Sequence, residues 1–186
     1  DQRLREAGHQ LHWIVASGSS PYTWLEGAAP RNGAGAYWEK TDAHEQRHEQ
    51  WPDSPQLKSL LKQDRPQVVI VQTGGQLYAL LRTKRETPER TLARIRGQLS
   101  EMCRQIAESG ATGYWILPPR SHEARYEEAL QTQLATLMKE VVGEWGGTCY
   151  ESLEVTQYPG DYPAMDGIHY PPGEARQWAE GVLAHL

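Results

Sequence analysis

The stretch 66-PQVVIVQTGG-75 decides the fold. Four β-branched residues, Val68 to Val71, follow one another without a polar break, between a proline and a glycine pair. A run this short is too brief for a buried helix. Its lack of alternation marks a strand covered on both faces, as in a parallel sheet. The spacing therefore predicts a strand over 67–73 that ends in a glycine turn.

Working outward, the same signature recurs. TGYWIL (112–117) is a second apolar run, stopped by Pro118 and Pro119, and GTCYESL (147–153) is a weaker third. Upstream, LHWIVAS (11–17) ends in the small-residue turn GSSP. Between these runs the period changes to that of helices. Thr87 can cap a helix with Pro88 at its first position, and Leu92, Ile95, Leu99, Met102 and Ile106 recur at three- and four-residue steps. Ser121 is placed to cap another, with Tyr126, Leu130, Leu134, Leu137 and Val141 on one stripe. Leu57, Leu60 and Leu61 mark a shorter helix, and Trp178, Val182 and Leu186 a last one. Strands alternating with helices predict an α/β fold with right-handed crossovers around a mainly parallel sheet. No repeat or interdomain linker interrupts the pattern, so 1–186 is read as a single domain. Ligands in such sheets sit beyond the carboxyl ends of the strands. GSSP (18–21), TGGQ (73–76) and DGIH (166–169) are thus expected on one rim.

Composition narrows the class. A chain of 186 residues with 23% charged and 38% hydrophobic residues can bury roughly 70% of its unfolded surface. The net charge is −5, and no Lys/Arg cluster is interleaved with aromatics, which argues against a nucleic-acid partner. No apolar run reaches membrane-spanning length. The chain opens at Asp1 rather than Met and has no signal-like pattern, so we expect a segment processed or excised from a longer protein. Cys103 and Cys149 are too few for a disulfide scaffold; a buried free thiol or one bridge both fit their placement. Phe is absent while Trp (7) and Tyr (9) are plentiful, a set suited to the rims of polar-ligand sites.

Three loops carry chemistry. In SGSSPYTWL a serine follows a strand in a glycine-containing turn, where a nucleophilic hydroxyl would stand beside a backbone N–H. The same turn could simply cap a helix. TGGQLY lets backbone approach a ligand at its glycines and offers the Gln76 amide as a donor. DGIH sets Asp166 three residues from His169, the relation by which a carboxylate fixes the tautomer of a general base. A fourth motif, HEQRH (44–48), matches the zinc pattern in which His44 and His48 share a helix face and Glu45 acts as base. Its polar flanks and Pro52 lead us to expect a solvated polar segment instead.

Taken together and in this order, the loops resemble the SGNH (GDSL-like) hydrolase and acyltransferase family, over nearly the whole chain. Gly18-Ser19-Ser20 aligns with the nucleophile block, Gly33 or Gly35 of RNGAGAY with the second, Gly74 and Gln76 with the third, and Asp166 with His169 as the last. Ser19, Gln76 and Leu77 stand where the family has Asp, Asn and Asp. The resemblance implies a three-layer, flavodoxin-like α/β sandwich with a catalytic set of Ser20, His169 and Asp166. It also implies an oxyanion hole from the Ser20 N–H, Gly33, Gly35, Gly74 and Gln76. The activity implied is a carboxylic-ester hydrolase or O-acetyltransferase working through an acyl-serine, without metal or organic cofactor. Tyr22, Trp24, Tyr37, Trp38, Tyr78 and Tyr170 lie within or beside these loops, so an O-acetylated carbohydrate is the expected substrate, with the cell envelope or an exported setting favoured. A catalytically inactive glycan-binding module is the alternative.

Overall fold

A computed structural model describes residues 2–16, 18–26, 37–48, 56–82, 85–122, 126–159 and 167–186. Asp166, Gly33 and Gly35 lie outside these described residues. The backbone divides into two compact units, Asp1–Arg65 and Pro66–Leu186. Each is described by itself.

In the first unit the order is α1 (Gln2–Glu6), β1 (Trp13–Ala16), α2 (Pro21–Glu26), β2 (Tyr37–Lys40), β3 (Glu45–His48) and α3 (Leu57–Asp64). The strands form an antiparallel sheet in the order β1-β2-β3. Val15 pairs with Trp38 and Ile14 with Glu39, while Trp38 faces Arg47 and Tyr37 faces His48. This differs from the expectation for the first apolar run. Among the described residues β1 pairs only with β2, and it is not a member of the parallel sheet. The physical reason lies in YWEKTDAHEQRH (37–48), a hairpin whose polar side chains disguise its strands. Its alternation sets Trp38, Lys40, Glu45 and Arg47 on one face and Tyr37, Glu39, Gln46 and His48 on the other. Helix α3 turns Leu57 and Leu61 inward and ends at Arg65 in the left-handed region (φ 47°).

The second unit runs β4 (Val68–Gln72), α4 (Gly75–Leu81), α5 (Pro88–Glu108), β5 (Thr112–Ile116), α6 (Glu128–Glu144), β6 (Thr148–Tyr150), α7 (Ser152–Val155) and α8 (Pro172–Leu183). Its sheet is parallel, in the order β4-β5-β6. Here the α/β expectation holds: all three apolar runs after residue 65 pair in parallel, joined by helices. Helix α5 begins as read, with Thr87 Oγ1 accepting from the Arg90 N–H and Pro88 at the first position.

Helices cover both faces of β5. Gly113 and Trp115 face α5, where Ile106 sits close to the glycine. Tyr114 and Ile116 join Tyr150 of β6 with Val182 and Trp178 of α8. Ile95, Leu99, Leu77, Leu134, Met138 and Val141 are fully buried where α4, α5 and α6 meet. Each such side chain contributes about 1.5–3 kcal/mol by leaving water. The outer strand β4 is less covered: Val68 and Ile70 remain 50% and 41% exposed. Helix α6 starts at Glu128 rather than at Ser121. Ser121 instead lies in a loop held by fully buried Gln131, whose Oε1 accepts from the Ser121 N–H (2.8 Å) and whose Nε2 donates to the carbonyls of Ser121 (3.2 Å) and Tyr126 (2.8 Å). Among the described residues no helix is long and apolar enough to cross a membrane.

Candidate functional site

In the first unit, β1 leads directly into the serine turn. Gly18 takes φ 73°, a conformation open to glycine, and the Ser19 N–H bonds back to the Ala16 carbonyl (3.2 Å). Ser20 then precedes Pro21, the first residue of α2, and its carbonyl accepts from the Thr23 N–H (2.9 Å). The Ser20 N–H, expected among the oxyanion donors, donates to Oγ1 of buried Thr23 (3.1 Å). Ser20 thus stands at a helix start with half of a capping box around it, and is itself half-buried.

The aromatic side chains of this unit differ in their surroundings. Tyr22 and Trp38 are 46% and 45% exposed, and Trp24 is half-buried. The Arg47 guanidinium sits over the Trp38 ring at 5.5 Å. Tyr37 lies on the opposite sheet face, stacked on His48 with ring centroids 4.2 Å apart. HEQRH is not helical: Glu45–His48 is strand β3, so His44 and His48 lack the one-turn spacing that the zinc motif requires. His48 Nε2 meets Glu39 Oε2 at 3.0 Å, and His44 Nδ1 meets Thr41 Oγ1 at 2.9 Å. Among the described residues no group of three or more His, Cys, Asp and Glu side chains is placed to hold a metal ion.

In the second unit the site grows from the carboxyl ends of the parallel strands. Gly74 follows β4 with φ 132° and ψ −35°, and its carbonyl accepts from the Leu77 N–H (2.8 Å) to start α4. Gln76 stands exposed in the first turn of that helix. Tyr78, expected among the sugar-stacking rings, is only 2% exposed and packs against Tyr126 at 4.7 Å, with Arg82 over the Tyr126 ring at 5.7 Å. It is a core residue. Burial, reinforced by Tyr126, pushes its phenol well above the ordinary tyrosine range.

The exit from β5 organises the rest. Pro118 packs against Gly74. The Arg120 N–H donates to Thr156 Oγ1 (3.0 Å), and its guanidinium to the Leu153 carbonyl (3.2 Å) and Glu128 (3.0 Å). Tyr170 donates its hydroxyl to the Arg120 carbonyl (2.6 Å), and the His122 N–H donates to the Gly167 carbonyl (2.8 Å). The loop carrying His169 is thereby tied to the end of β5, on the same edge as Gly74. His169 itself is exposed, just after Gly167 at φ 74°. Of the expected loops, TGGQ and the described part of DGIH share this edge; Asp166 is outside the described residues, and Ser20 belongs to the first unit.

Sequence reasoning missed three side chains here. The His122 ring meets Tyr158 edge-on at 5.8 Å, and Tyr158 meets Tyr170 edge-on at 5.6 Å. Among the described residues, the Tyr158 hydroxyl is buried without a hydrogen-bond partner, as is that of Thr73 beside Gly74. Arg120, the third, holds the end of β5 to α7. The only available signal was position, since His122 follows the proline pair that stops a parallel strand. Compared with family models, with curated proteins and with solved structures, the chain matches none.

Proposed function

We propose that the chain is a serine-dependent ester hydrolase or O-acetyltransferase acting on an O-acetylated carbohydrate, on a three-layer α/β scaffold of the SGNH type. The observation that carries the proposal is the edge just described: a histidine loop pinned to the carboxyl end of a parallel strand, beside a glycine-started helix that follows the neighbouring strand. In this reading Ser20 attacks the acyl carbonyl and its proton passes to His169, which Asp166 orients. The tetrahedral oxyanion draws on backbone N–H groups of the Gly74 turn and the second glycine loop and on the Gln76 amide. Collapse expels the alcohol, which takes the proton from His169 and leaves an acyl-serine. Water or a sugar hydroxyl then attacks the acyl-serine and loses its proton to His169, which returns it to the Ser20 oxygen as the acyl–serine bond breaks and the acylated product leaves. Exposed Tyr22 and Trp38 and half-buried Trp24, Tyr37 and Tyr170 are the rings available for sugar contact.

The test is hydrolysis of an aryl acetate and acetate release from an acetylated glycan by wild type, Ser20→Ala and His169→Ala. We expect losses of about 10⁴-fold or more in turnover for either variant. Wild-type rates in Ser20→Ala, after removal of contaminating esterase, would exclude the mechanism.

One observation favours a second reading, a glycan-binding module without turnover: the Ser20 N–H is already bonded to Thr23 Oγ1. A fluorophosphonate probe separates the two. Labelling at Ser20 supports the esterase, whereas saccharide binding by an unlabelled protein supports the module.

A further inference from the structure

We propose that Glu39, His12, His48 and Asp64 form a proton-operated latch, which holds helix α3 to the β1–β2–β3 sheet at neutral pH and releases it in acid.

Glu39 sits in the middle strand and divides its two oxygens between two imidazoles. Oε1 meets His12 Nε2 at 2.8 Å, and Oε2 meets His48 Nε2 at 3.0 Å. The other ring nitrogen of His12, Nδ1, meets Asp64 Oδ2 at 2.6 Å. Asp64 is the last residue of α3. Four titratable side chains thus run without a break from the end of α3 across the sheet to its far strand. All four are less than a third exposed. The stack on Tyr37 holds the His48 ring in the plane that aims Nε2 at Glu39.

The donor inventory makes this chain dependent on protons. An ionised carboxylate only accepts, so Glu39 serves an imidazole on each of its two oxygens only while it carries no proton. A proton on Glu39 turns an acceptor into a donor facing a donor, and the chain breaks at its centre. The neighbouring charges are engaged in pairs of their own: Lys40 with Glu45 on the opposite sheet face, and Arg5 with Asp42. His44 bonds to Thr41, Gln46 opposite Glu39 is neutral, and Lys58 and Lys62 on α3 are exposed.

The direction with pH follows from Glu39. Burial works to raise its carboxyl, but the bonds and charges of His12 and His48 outweigh burial and hold it below the ordinary value of 4.5. A depressed carboxyl contributes stability above its unfolded value and loses it as pH falls through the folded one. The release therefore lies below pH 4.5. Because α2 packs on α3 and β1 feeds the Ser20 turn, an open latch would also loosen that serine. This last consequence rests on the function proposed above; the latch does not.

Hydrogen exchange followed by mass spectrometry from pH 7 to pH 3 tests it, with protection corrected for intrinsic rates. Residues 37–48 and 57–64 should lose protection below pH 4.5, by up to about tenfold per pH unit, while 88–116 keep theirs. Glu39→Gln should lower the protection of both segments at pH 7 and abolish the acid step. Opening of 57–64 only together with or after 88–116 would overturn the latch, and this wild-type comparison decides the matter even if the variant does not fold. An unchanged acid step in Glu39→Gln would overturn it too. So would one dialysis-resistant zinc ion per chain that is lost in His12→Ala and His48→Ala, which would make the cluster a metal centre.

Discussion

A Cβ on Gly74 would lie 2.1 Å from Cγ of Pro118. The contact joins the end of β4 to the end of β5, and the backbone of Gly74 (φ 132°) is one that side chains rarely adopt. Gly74→Ala should therefore cost about 3 kcal/mol or more in urea unfolding. Adding Pro118→Ala should recover only part of this loss, because it removes the clash and leaves the backbone strain.

Thr23 accepts from the Ser20 N–H while almost wholly buried. Thr23→Val keeps the shape and removes the acceptor. We expect about 1–2 kcal/mol of destabilisation from the orphaned N–H. If that N–H also serves the oxyanion, esterase turnover should rise rather than fall in this variant. Parallel denaturation and aryl-acetate assays separate the two effects.

Gln131 bonds three backbone groups, the Ser121 N–H and the carbonyls of Ser121 and Tyr126. Gln131→Leu removes all three bonds and should cost about 2–4 kcal/mol. Exchange at the Ser121 and His122 amides should accelerate more than exchange in α5, since the damage is local to the loop.

The two thiols are free, and burial raises both: Cys103 up to about 12 and Cys149 up to about 11, with Cys149 adding to the shift at Cys103. At pH 8 roughly 10⁻⁴ and 10⁻³ of them are thiolate, so a native thiol reagent should react through opening alone. Labelling in urea should be faster by about 100-fold or more. The sign also predicts that stability falls as pH rises above 9.0, where unfolded thiols lose protons that the folded ones keep. Cys103→Ala should flatten that alkaline limb.

The second unit was legible because its physics is local and repetitive. VVIV between Pro66 and Gly74 has few outcomes other than a parallel strand, and Thr87-Pro88 announces a helix start through its own hydrogen bond. The first unit was not, because its sheet is held by pairings between residues of ambiguous character. Glu39 and His48 look like surface residues in the chain, and become partners only once Tyr37 faces His48 across the hairpin. Ser121 misled for a related reason: Gln131 holds the backbone N–H and carbonyl of that residue away from a helix start, and α6 begins later without a side-chain cap. The rim cluster of His122, Tyr158 and Tyr170 depends on three separate loops, and no local pattern can declare it.

The outer strand β4 carries Val68, Ile70 and their β-branched neighbours where, among the described residues, only one side has a pairing partner. Such a border invites a foreign strand, and proteins commonly guard it with lysines or a bulge. Here only Pro66 stands watch, just ahead of the run. Bringing copies together would let one such border pair with another, so the segment that announces the architecture is also a seam along which molecules could join.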